Sequence, residues 1–116
     1  MSRRDDLAAA LAAIPGLDMK AQQPDTLTPG AAWPMWVRTT WLTDCAREET
    51  WQVIVVLPSG SPESTADAAD GLLQPIFAAL SAAGAYIDEA APTSMLTQEG
   101  GSPVPLLRVT TRITDS

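Results

Sequence analysis

The chain has 116 residues, of which 46% are hydrophobic and 18% charged, with a formal net charge of -7, no histidine and one cysteine. That length holds one domain with a single core, and seven basic residues in so acidic a chain do not make a surface that grips nucleic acid by neutralising phosphates. A lone cysteine excludes an internal disulfide, and no apolar run approaches the roughly 18 residues needed to cross a bilayer.

The start, Arg3-Arg4-Asp5-Asp6, mixes charges of both signs, and Pro15 breaks the Ala-rich stretch behind it. A secretory signal needs a positive start and a longer apolar segment, so a cytosolic protein with its N-terminus intact is expected. Ser2 can cap a helix, with Asp5 reaching back toward it. Leu7, Ala10, Leu11 and Ile14 then recur at helical spacing, with Ala9, Ala12 and Ala13 opposite. Pro15-Gly16 ends the helix. From Leu17 to Pro34 the prolines and Gly30 predict an ordered loop, with room for a short strand over Leu17 to Ala21.

Two strands are predicted next. In the first, Trp33, Met35, Val37, Thr39 and Trp41 alternate with Trp36, Arg38, Thr40 and Leu42. The polar stretch from Thr43 to Glu49 turns the chain. The second strand puts Trp51, Val53, Val55 and Leu57 on one side and Gln52, Ile54 and Val56 on the other. Apolar residues on both sides predict a strand covered on both faces.

Pro58-Ser59-Gly60-Ser61-Pro62 starts a second helix, capped by Ser61 and carrying Pro62 in its first turn. Its stripe is Ala66, Ala69, Leu73, Ile76, Phe77 and Leu80, with a kink expected at Pro75 and an end at Gly84. A weaker strand follows from Ala85 toward Leu96, placed at an edge by Pro92. Gln98 to Pro103 makes a Gly-Gly turn. In the last strand Leu107, Val109, Thr111 and Ile113 alternate with Arg108, Thr110 and Arg112.

The expectation is a single α+β domain over residues 1–116, in the order α-β-β-α-β-β. It has a largely antiparallel four-stranded sheet with two helices packed on one face. The opposite face would then carry Trp36, Leu42, Ile54, Val56 and Leu106. Exposing them would cost several kcal/mol at about 25 cal/mol per Å². Either the loop from Leu17 to Ala32 folds over this face or another subunit covers it. A subunit is favoured, because monomers seldom display such a patch.

Catalytic chemistry finds little support. Cys45 sits among Asp44, Glu48 and Glu49, which oppose thiolate formation, and there is no histidine base. Glu48 and Glu49 point apart on an extended chain, and with Asp44 they lack the spacing of a calcium loop. Ser59-Gly60-Ser61 reads as a helix cap before an anion site. The tryptophans lack the interleaved basic residues of a strand-stacking platform. Arg108 and Arg112 form a solvated face or pair with acidic groups of a neighbouring subunit. No enzyme activity, cofactor or metal is expected.

The layout resembles the tail terminator, or tail-completion, family of long-tailed bacteriophages. The likeness runs through the Ala-Leu opening helix, Pro29-Gly30-Ala31-Ala32-Trp33-Pro34 leading into a Trp strand, the helix end Ala79-Leu80-Ser81-Ala82-Ala83-Gly84, and Gly100-Gly101-Ser102-Pro103 before the last strand. It implies a virion subunit without an active site, assembled in the host cytoplasm. Its ring, often six-fold (a hexamer), caps the tail tube and meets head–tail connector proteins, with DNA passing through and no membrane involved. The expected subunit interface is Trp36, Leu42, Ile54, Val56, Leu106, Arg108 and Arg112. A head–tail connector (neck) protein, or a small protein-binding module acting as monomer or dimer, are the alternatives.

Overall fold

The computed structural model of the chain describes residues 3–20, 28–58, 62–95 and 104–115. Within them lie helices α1 (Arg3–Leu11) and α2 (Pro62–Ala82) and strands β1 (Asp18–Met19), β2 (Ala31–Trp41), β3 (Arg47–Val56), β4 (Tyr86–Met95) and β5 (Val104–Asp115). The class is α+β, as expected. The sheet has five strands, not four, in the order β1-β2-β3-β5-β4. The addition is β1, which pairs parallel with Ala31 and Ala32 and changes the element order to α-β-β-β-α-β-β. Every other pairing is antiparallel.

The alternation of β3 and β5 divides their side chains between two cores. On one face Trp51, Val53 and Val55 of β3 meet Leu107, Val109 and Ile113 of β5. Leu7 and Leu11 of α1, then Ile14, and Ile76 and Leu80 of α2 close this core, so both helices sit on one face of the sheet. Each such side chain contributes about 1.5–3 kcal/mol through burial. On the other face Ala31, Trp33, Ile54, Val56 and Leu106 form a second buried cluster, with Val104 packed against it.

Local signals explain where elements stop. At the end of α2 the Ala85 amide donates to the Leu80 carbonyl (2.9 Å) and the Gly84 amide to that of Ser81 (3.1 Å). Gly84 has φ +84°, so this is the left-handed helix cap that glycine permits. Ala85 joins Leu80 in the core just beyond it. Helix α2 continues through Pro75, which is itself exposed to water. Two members of its expected stripe are corrected: Ala66 and Phe77 are exposed, while Leu72 and Leu73 pack against the core. Pro92 lies in β4, an edge strand of the sheet, the kind of strand that tolerates a proline.

Candidate subunit interface

Strand β2 decides which aromatic residues are hidden. Trp33 pairs with Ile54, and Ile54 with Arg108, so this row belongs to the face opposite the helices. Trp36 pairs with Trp51, whose side chain lies in the helix-side core. The expected grouping of Trp36 with Ile54, Val56 and Leu106 is therefore corrected: Trp33 is the tryptophan of that face, and it is 1% exposed. A bulge between Trp36 and Arg38 then shifts the register by one residue. Thr39 and Trp41, opposite Glu49 and Arg47, consequently join Trp36 on the helix side, whereas Arg38 joins Trp33's side.

Beyond the helices, the β2–β3 hairpin keeps its apolar side chains in water. Trp36 is 58% and Trp41 66% exposed, and Met35, Val37 and Leu42 are exposed as well. Local bonds hold the two rings in place. Trp36 Nε1 donates to Thr39 Oγ1 at 3.0 Å. The Arg47 guanidinium lies 5.9 Å from the centre of the Trp41 ring, within cation–π range. Trp51 Nε1 donates to Glu49 Oε1 at 3.2 Å beneath them. At the tip Thr43 Oγ1 accepts from the amides of Cys45 (3.2 Å) and Ala46 (3.0 Å), which fixes the turn. Phe77 on α2 and Tyr86 at the start of β4 are the remaining large exposed apolar residues among those described.

The seven expected interface residues thus separate. Trp36 and Leu42 are on the surface. Ile54, Val56 and Leu106 are buried within the chain itself, which corrects the expectation that they wait for a neighbour. The loop stretch 21–27 that was one candidate cover lies outside the described residues. Arg108 and Arg112 find their acids at home. Arg112 Nε donates to Asp88 at 2.8 Å and its Nη1 lies 3.5 Å from Glu48, while Arg108 Nη2 is 3.5 Å from Glu89. Trp41, Met35, Val37 and Tyr86 were missed as surface residues. Alternation was their only signal, and it does not show where the helices stop.

Nothing described assembles into a reactive centre. Cys45 is exposed at the hairpin tip. Glu48 is turned toward Arg112 and Glu49 toward Trp51, away from Asp44 in the turn. No group of three or more metal-ligating side chains occurs among the described residues. Ser59 to Ser61 lie outside them. No described helix is long and apolar enough to cross a membrane. A scan against protein-family models finds no match, and a search of curated proteins finds none either.

Proposed function

We propose that this chain is a structural subunit that assembles with copies of itself through the Trp-bearing β2–β3 hairpin, in the manner of a tail terminator ring that caps a phage tail tube. The observation that carries the reading is the exposure of Trp36 (58%) and Trp41 (66%) in one ordered hairpin whose rings are held by Thr39 and Arg47. Rigid, amphipathic tryptophan surface loses little conformational entropy on docking, which is why such residues dominate protein contacts. Exposed apolar side chains grouped on one hairpin, Met35, Trp36, Val37, Trp41 and Leu42, suit contact with a neighbour. The assignment to a phage tail rests on the likeness of layout. The acidic balance supports a ring that DNA crosses without adhering.

Sedimentation velocity and native mass measurement over a wide concentration range test this reading. A closed oligomer, or one that appears on added tail tubes, is the expected result. A monomer at every concentration that also ignores tail tubes would overturn it.

A further inference from the structure

Strand β2 has a free outer edge. Among the described residues, β1 covers it only at Ala31 and Ala32, and no strand lies outside it from there to Trp41. The Lys20 amide donates to the Ala32 carbonyl at 2.7 Å, so the backbone of Ala32 turns outward. At the other end the Leu42 amide donates to the Ala46 carbonyl at 2.9 Å, so the backbone of Leu42 turns inward, across the hairpin. Backbone groups alternate between the two sides of a strand, and from Arg38 to Trp41 the pairing with β3 runs without a break in register. Thr40 therefore shares the inward direction of Leu42. The N–H and C=O of Thr39 and Trp41 point to the open edge.

We infer that this edge pairs with the same edge of a second copy, antiparallel about a two-fold axis at Thr40. The inference rests on the self-assembly proposed above and specifies one contact of it. Thr39 and Trp41 of one copy exchange backbone hydrogen bonds with Trp41 and Thr39 of the other, and Thr40 faces its own counterpart. Trp36, Thr39 and Trp41 all lie on the helix side of the sheet, and an edge-to-edge two-fold keeps that side common to both copies. Trp36 Nε1 donates to Thr39 Oγ1 at 3.0 Å, so Trp41 of the second copy, opposite Thr39, meets the Trp36 ring. Rings that stand 58% and 66% exposed in one copy thereby cover each other.

Charge favours a second copy here. The chain carries a net charge of -7, yet β2 has no acidic residue and only Arg38 as a charge. In the two-fold register Arg38 faces Leu42 of the other copy. The two Arg38 residues lie about 14 Å apart, four steps of about 3.3 Å and one strand spacing, beyond the screening length of about 8 Å at physiological salt. Two acidic molecules therefore meet at this edge with little repulsion. Elsewhere the edges are guarded against pairing: Pro34 and the bulge after Trp36 interrupt the earlier part of β2, and Pro92 and a second bulge interrupt β4. Arg38 to Trp41 contains neither proline nor bulge. An isologous contact closes at two copies, so a larger ring needs a second, different contact between such pairs.

Thiol cross-linking tests the contact, in the full chain with its exposed cysteine replaced (Cys45→Ser). Thr40→Cys sets two thiols across a pair about 4.5 Å apart at Cα, which a disulfide spans, whereas the separation at Arg38→Cys exceeds the limit of about 7 Å. Both positions are exposed, so both variants are expected to fold. Under mild oxidation Thr40→Cys should form a covalent dimer at least about tenfold faster than Arg38→Cys, which reports random collision. Amide exchange followed by NMR in the unaltered chain is the second measurement. Thr39 and Trp41 should exchange more slowly as concentration rises, while Thr40, paired with Glu48 inside the hairpin, should not change. Equal cross-linking by the two variants, or exchange at Thr39 and Trp41 that ignores concentration, overturns the two-fold contact. Oligomers that still sediment in that case leave the proposed function standing. A chain that stays monomeric at every concentration and on added tail tubes overturns both.

Discussion

Trp36 stands directly across from Trp51, yet Trp36 is 58% exposed and Trp51 6%. The two rings share a face, but Trp51 lies on the central strand within the helix-side core, and Trp36 lies on the strand that borders it toward the edge. Replacing them should therefore have separable effects. Trp51→Ala opens a cavity and is expected to cost about 3–5 kcal/mol. Trp36→Ser should change stability by less than about 1 kcal/mol while weakening self-association. Urea denaturation read beside sedimentation checks both. Equal destabilisation by the two would contradict the difference in burial.

The second core gives a sharper expectation. Ile54 and Val56 are buried on the face away from the helices, beside Trp33 and Leu106. Aspartate at Val56, which pairs with Leu106, buries a charge without a partner, so Val56→Asp should lower stability by more than about 3 kcal/mol, whereas aspartate at Ile54 faces Arg108 and should cost less. The readout is a lowered melting temperature and loss of near-ultraviolet dichroism. A variant that melted normally and only failed to assemble would restore these residues to an intersubunit role.

That comparison shows what could be read from the residues. In β3 and β5 every inward and outward position followed from alternation, because neither strand breaks its period between Trp51 and Val56 or between Leu106 and Ile113. The stripe of α1 and the glycine end of α2 were equally legible. Strand β2 was not. Alternation divides its residues into two sets without saying which set lies over Ile54, and the bulge at Val37 exchanges the sets halfway along. Both uncertainties fall on Trp36, a residue of the proposed interface. The pairing of Arg108 and Arg112 with Glu89 and Asp88 was hidden for another reason: it depends on β4 lying beside β5, a long-range register.

Two glycines should respond to alanine with opposite signs. A Cβ on Gly30 would lie 2.6 Å from the Gly16 carbonyl oxygen, and the residue has φ +91°. Its amide also donates to the Val56 carbonyl at 2.9 Å, and its carbonyl accepts from Asp18 at 2.8 Å, so this backbone joins β1, β2 and β3. Left-handed geometry alone costs an alanine about 1–2 kcal/mol, and the close approach adds to it. At Gly71 in α2 a Cβ meets nothing within 4 Å. Gly71→Ala should gain about 0.5–1 kcal/mol from helix propensity. Thermal melts of the two variants, falling for Gly30→Ala and rising for Gly71→Ala, are the check.

Neighbouring residues of β5 offer a contrast in salt dependence. Thr111 is fully buried, and its Oγ1 donates to the Tyr86 carbonyl at 2.8 Å. Thr111→Val removes that bond, a loss of about 0.5–1.5 kcal/mol that salt does not screen. Arg112 bridges Asp88 and Glu48 across three strands, but its side chain is 43% exposed. Exposed ion pairs contribute up to about 1 kcal/mol, and an ionic strength of about 1 M screens them. Arg112→Gln should therefore destabilise the chain at low salt and match it at high salt, whereas the deficit of Thr111→Val should persist in both. Urea, being uncharged, is the denaturant for the comparison. An Arg112→Gln deficit that survives high salt would mean that the guanidinium acts through packing on the sheet and not through its carboxylates.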